Sequence, residues 1–227
     1  AIEELVKANE NLNADFVVGD FSTTGINRNA FPLLSIPQNC IFYKKEIMTL
    51  FLTKKWPEIA CNKLVRSDML KANHHLFYDG ILHEDTLWSF LLALNSNSMV
   101  VCHEIPYVYH VSPDSISRKK SAKNFCSLAI VLDEIIRYSL EYNLFSKYTS
   151  LIDYIADICF FYYKELERAE MDSNYIKEKV SSINAILARI PSGPLKKSSC
   201  TSKIRLCFFH LPYWMSLLII KSMRLVR

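Results

Sequence analysis

The chain has 227 residues, of which 50% are apolar and 12% aromatic, enough for a packed core and against disorder. Its formal charge of +4 is uneven: residues 179–227 hold nine Lys/Arg and no Asp/Glu, leaving 18 basic against 23 acidic residues before them, which excludes a general nucleic-acid-binding surface. Four glycines with no G-x-G-x-x-G or G-x-x-x-x-G-K run exclude a Gly-rich phosphate loop, and seven cysteines with no C-x-x-C pair point to reduced, cytosolic thiols rather than a disulfide scaffold.

Residues 1–12 have the spacing of an amphipathic helix, and Ala14 to Phe21 that of a short apolar strand. An irregular, turn-rich connection through Phe31-Pro32 follows. The periodicity predicts helices over Lys44–Leu52 and Ile59–Asn73, the second turning Leu64, Met69 and Leu70 inward. Gly80 interrupts the pattern before Glu84 and Asp85 open a helix through Leu94. Met99–His103 and Pro106–Val111 read as two strands covered on both faces. From Lys119 the pattern is helical, about 119–144, 147–169 and 172–190, with apolar stripes through Leu128, Ile135 and Leu140 and through Tyr154, Ile158 and Phe161. Pro191 to Pro194 reads as a linker. The segment from Ile204 to Ile220 is too short and interrupted to span a bilayer. It fits a basic amphipathic helix lying on a membrane surface, or equally a last helix docked on the helical region. His74, His75, His83 and His103 with Cys61 and Cys102 match no common structural zinc spacing.

Four blocks stand in a fixed order: Trp56 with Asn62-Lys63-Leu64, then Gly80-Ile81-Leu82-His83-Glu84-Asp85 with Trp88, then Tyr107-Val108-Tyr109-His110, then Ser115-Ile116-Ser117. Together they resemble the second half of a family 2 glycosyltransferase with the GT-A fold, of the bacterial kind that builds surface polysaccharides. The resemblance covers roughly residues 1–120. It implies α/β for residues 1–118, the acceptor half of a Rossmann-like GT-A domain with a mixed sheet. A helical appendage (119–190) and a linker with a basic amphipathic C-terminal helix (191–227) follow.

By that resemblance Asp85 is the catalytic base, taking the proton from an acceptor hydroxyl whose oxygen attacks the anomeric carbon of a nucleotide sugar with inversion. Such a base must stay ionised and within about 3 Å of the hydroxyl, so Asp85 is expected to face an open, sugar-sized cleft. Glu84 is paired with it as a catalytic candidate. His83 is a substrate-binding candidate, and for both salt bridging or capping is the alternative. Asn62 and Lys63 either contact donor phosphate or acceptor hydroxyls, or hold the loop; Trp56 and Trp88 either stack on sugar rings or pack in the core. Ser115 and Ser117 would either border the diphosphate or form a plain turn after Pro113. His110 stands where related sequences often have Arg, and is a candidate either to ligate the metal or to contact the leaving diphosphate. GT-A enzymes hold Mg or Mn with an Asp-x-Asp motif, and none occurs in this sequence.

The chain opens on Ala1 inside a helical pattern, with no leader-like run, so the expectation is that the metal-binding aspartates and nucleotide-binding strands lie upstream. The chain alone is then expected to bind no cation and to be inactive. The partners implied are a nucleotide-sugar donor, a glycan or lipid-linked acceptor and, through the tail, the membrane surface, with no nucleic acid. The location implied is cytoplasmic, peripheral at the inner face of the cell membrane. The alternative from another class is a non-enzymatic helical adaptor, or a peripheral membrane-binding protein with a decayed transferase domain.

Overall fold

In a computed structural model, residues 2–25, 35–38, 40–112, 122–168 and 173–207, with Leu211 and Met215, are described. They divide into two compact units, Ala1–Gly80 with Glu84–Lys119, and Ile81–His83 with Lys120–Arg227.

The first unit is built on a four-stranded sheet in the order β2-β4-β1-β3. Strand β1 (Phe16–Gly25) is apolar in its first half, and residues Phe16 to Phe21 are all buried. It runs parallel to β4 (Ser98–Val111), from Phe16 opposite Met99 to Gly25 opposite Val111. The edges are antiparallel: β3 (Lys63–Val65) on β1, and β2 (Ile41–Tyr43) on Ser98–Val100 of β4. The pairing breaks between Gly19 and Phe21, because Gly19 faces Cys102 whereas Phe21 faces Tyr107. Residues 103–106 therefore bulge out of β4, so the two predicted strands are one strand with an irregular middle.

Both faces of the sheet are covered, as a parallel pair requires. Helix α1 (Ile2–Asn9) closes one face, where Leu5, Ala14, Val17, Val100 and Cys102 form a cluster. On the other face, Trp56 packs against Phe16 and Phe51, with ring centroids at 5.7 and 4.8 Å, and Phe51 meets Phe90 edge-on at 6.3 Å. Phe51 belongs to α2 (Lys44–Leu52), whose Glu46 carboxylate accepts the Tyr43 N–H at 3.1 Å and closes its first turn. Phe90 belongs to α4 (Glu84–Asn95), buried from Thr86 to Phe90.

The helix expected over Ile59–Asn73 is instead a turn, β3 and the short α3 (Ser67–Ala72). Leu64 and Val65 match a strand as well as a helix, and pairing with Phe16 and Val17 decides the matter.

The second unit is helical: α5 (Ala122–Glu141), α6 (Leu144–Lys147), α7 (Leu151–Arg168), α8 (Ser173–Leu187), α9 (Ser192–Lys197) and α10 (Cys200–Cys207) among the described residues. Phe125 of α5 meets Tyr162 of α7 edge-on at 5.9 Å. Asp153 accepts the hydroxyls of Ser199 and Ser202, and Arg205 pairs with Asp157, so α10 is stapled to α7. Two residues of the predicted stripes, Leu140 and Phe161, are 39% and 44% exposed. The expected linker at Pro191–Pro194 is helical from Ser192, because a proline in a first turn gives up an N–H that has no partner there anyway. The predicted amphipathic stretch lies outside the described residues from Phe208 onward, apart from Leu211 and Met215. Among the described residues no helix is long and apolar enough to cross a membrane.

Candidate functional site

Glu84 and Asp85 occupy the first turn of α4, where unpaired backbone N–H groups and the helix dipole favour carboxylates. Both are half-buried. The turn is tied to the loop before β3. The Glu58 carboxylate accepts the Thr86 hydroxyl at 2.9 Å, and the Glu58 carbonyl accepts the Ser89 hydroxyl at 2.6 Å.

That loop is in turn fixed to the sheet. Asn62 is fully buried; its Nδ2 donates to the Gly19 carbonyl at 2.6 Å, and the Gly19 N–H donates to the Asn62 carbonyl at 2.8 Å. Lys63 closes the loop on itself. Its Nζ donates to the Pro57 carbonyl at 2.8 Å, to the Ile59 carbonyl and to Asn62 Oδ1 at 3.0 Å, 5.2 Å from the Trp56 ring centre. An ammonium has three donors, and three protein oxygens meet them. Burial pushes the Lys63 pKa down to about 7, while the charges of Asp85, Cys61 and Glu58 pull it back up. The Cys61 side chain beside Tyr107 of β4 raises its phenol pKa, with burial and then Tyr109 adding to that.

Asp85, Lys63, Glu58 and Asn62 are thus gathered around one loop and one helix start. Glu84 shares that helix start, while the remaining sequence candidates are placed as follows. His83 takes a left-handed backbone, φ 62°, and belongs to the helical unit, where its Nε2 meets Asn124 Oδ1 at 2.6 Å. Trp88 is 6% exposed and sits on α4 against His75 and Phe77, while Trp56 is 1% exposed with its indole N–H on the Ile47 carbonyl. Ser115 and Ser117 lie outside the described residues. His110, near the end of β4, shares a hydrogen bond with Thr24 Oγ1 at 3.2 Å. Among the described residues no group of three His, Cys, Asp or Glu could hold a metal ion.

A cavity of about 260 Å³ opens at the opposite end of the sheet, lined by Asp15, Arg66, Asn73, Asn95 and Asn97 among others. Asp85 is not in its lining, so this cavity is not the cleft expected beside that residue. Sequence reading missed Glu58, Thr86 and Ser89. Nothing in their spacing marks them, because their bonds join segments 28 and 31 residues apart.

A parallel β1/β4 pair with antiparallel edges and helices on both faces defines a mixed α/β, Rossmann-like fold of the glycosyltransferase kind. The particular likeness is to a crystal structure of S. aureus TarS, residues 1–349, in complex with UDP-GlcNAc. The TM-score is 0.62 at 15% sequence identity, covering 92% of this chain and 58% of that one. At that identity the likeness establishes the fold alone. No family model matches the chain, and no curated protein matches it by sequence.

Proposed function

We propose that this chain carries the acceptor side of an inverting, family 2-type glycosyltransferase, with Asp85 as the base. The observation that carries the reading is a carboxylate in the first turn of α4, held by the Glu58–Thr86 and Glu58–Ser89 bonds and facing the charge of Lys63. The fold, shared with a protein captured with UDP-GlcNAc, supports a nucleotide sugar as donor.

In the reaction, Asp85 accepts the proton of an acceptor hydroxyl as its oxygen forms a bond to the anomeric carbon. The bond from that carbon to the nucleotide diphosphate breaks on the opposite face, and the diphosphate leaves with the electron pair. Lys63 keeps its contacts to the 57–62 loop and acts on Asp85 through charge alone. General-base assistance of this kind contributes about 10²–10⁴-fold in rate. A glycan or lipid-linked acceptor in surface-polysaccharide synthesis, met at the inner face of the membrane by the basic tail, completes the reading.

The test is Asp85→Asn placed in the natural gene, with the sugar composition of surface glycan as readout and donor binding measured in parallel. The expected result is glycan loss equal to that of a gene deletion, with donor binding unchanged. Glycan close to the wild-type level removes Asp85 from the role.

A further inference from the structure

Leu76, Phe77 and Tyr78 follow one another in the loop between α3 and α4, and are 79%, 49% and 45% exposed. A run of three large apolar side chains in water is an error in a surface unless something uses it. The loop is shaped rather than slack. His74 and Gly80 at its two ends take left-handed backbones, φ 47° and 77°, and the Leu76 N–H donates to the His74 carbonyl at 2.9 Å.

Phe77 lies flat on Trp88, with centroids 5.0 Å apart and planes 14° from parallel. One face of the Phe77 ring is thereby occupied, and its exposed surface lies on the other. Trp88 itself is buried and locked by His75, whose ring centre is 4.9 Å away. Trp88 stands three residues after Asp85 on α4, so the two share a helix face, about 5–6 Å apart at Cβ. The aromatic step from Phe77 to Trp88 therefore leads to the carboxylate.

The surroundings select the occupant. From Ala72 to Ser117 the sequence holds no Lys or Arg, while Asp79 directly follows the aromatic run and Glu84 and Asp85 open the next helix. A loop that enters an anionic bilayer is flanked by basic residues, and this one is flanked by acids. A phosphorylated or anionic ligand is repelled for the same reason. A flat aromatic face in a stretch without cationic side chains suits a neutral ring with an apolar C–H face and hydroxyl edges.

We propose that Phe77 and Tyr78 form a stacking platform for a neutral hexose-based oligosaccharide, the acceptor chain whose end reaches Asp85. This rests on the transferase reading for the word acceptor, whereas the platform itself is tested without a donor.

The experiment is titration of the full chain with cello-, manno- and chito-oligosaccharides, following the tryptophan fluorescence to which Trp88, under Phe77, contributes. A saturable change with at least one series is expected, weakened about tenfold in Phe77→Ala and in Tyr78→Ala, the loss of roughly one ring-stacking contact each. Both side chains are exposed enough for the variants to fold, and Tyr78→Ala leaves the Trp88 stack intact. No saturable change with any series, or equal affinities in both variants, overturns the platform. So does binding of anionic phospholipid vesicles that depends on these two residues, or a dimer in light scattering that Phe77→Ala dissolves. Glycan binding is read without transfer, so failure here leaves the role of Asp85 standing. Failure of Asp85→Asn to abolish transfer likewise leaves the platform standing.

Discussion

Acid should unfold the sheet-containing unit through one imidazole. His75 is 4% exposed, and neither ring nitrogen makes a hydrogen bond of normal geometry, although the Trp88 backbone is near enough to favour the charged form slightly. Burial pushes its pKa down to about 4, against about 6.5 for an unfolded histidine. The folded value is the lower one, so between about pH 4 and 6.5 the unfolded chain holds more protons than the folded one. Stability contributed by keeping His75 neutral is complete above about 6.5 and is lost as pH falls through that window, at up to about 1.4 kcal/mol per pH unit. The gap of about 2.5 units corresponds to about 3 kcal/mol, a large share of a typical domain's total. His75→Leu keeps the volume nearly constant and leaves nothing to titrate. Urea unfolding followed through tryptophan fluorescence at about pH 7 and about pH 4.5 measures the difference. Wild type should lose about 2 kcal/mol more than the variant between those two pH values, the remainder of the gap being lost only below about pH 4, and the variant should match or exceed wild type at neutral pH, having shed two unmet polar atoms. Parallel losses in the two proteins would refute the reasoning.

Two further outcomes follow from the site and the sheet. Lys63, with its pKa lowered to about 7 by burial, holds fewer protons folded than unfolded between about 7 and 10.5. Wild type should therefore gain stability over Lys63→Met as pH rises through that range, a direction readable from urea midpoints at about pH 7 and about pH 9. Gly25→Ala should destabilise the first unit by at least about 1 kcal/mol, because φ is +95° there and a methyl would land on the Val111 carbonyl across the β1–β4 pair. Thermal unfolding of the variant shows this as a lowered midpoint.

The parts legible in the sequence were those set by local pattern. Carboxylates at the head of an apolar run marked the start of α4, and the burial of Phe16 to Phe21 follows from an apolar strand with helices on both sides. What escaped was decided by partners distant in the chain. Ile59–Asn73 has helical spacing, and only the bond from Gly19 to Asn62 and the pairing of Lys63–Val65 with β1 make it turn, strand and helix. Lys63 carried a recognisable place in a motif, yet its cage of carbonyls exists only because Pro57 to Asn62 curl around it. The exposed run at Leu76 to Tyr78 carries no local signal in the sequence that the loop presents it outward.

The bracket around Asp85 explains why the loop before β3 and the helix after Gly80 act as one piece. Asn62 fastens the loop to the middle of β1, at the point where β4 bulges and Phe21 faces Tyr107. Glu58 fastens the same loop to the first turn of α4, and Tyr107, after the bulge, lies near Cys61 of that loop. Such ties are what the base proposed at Asp85 would require, because a displacement of about 1 Å costs on the order of a hundredfold in rate. Lys63 adds charge to that scaffold without leaving its cage. The carboxylate thus has beside it a lysine whose donors are engaged by the loop and whose charge, with the pKa lowered to about 7 by burial, is partial near neutral pH.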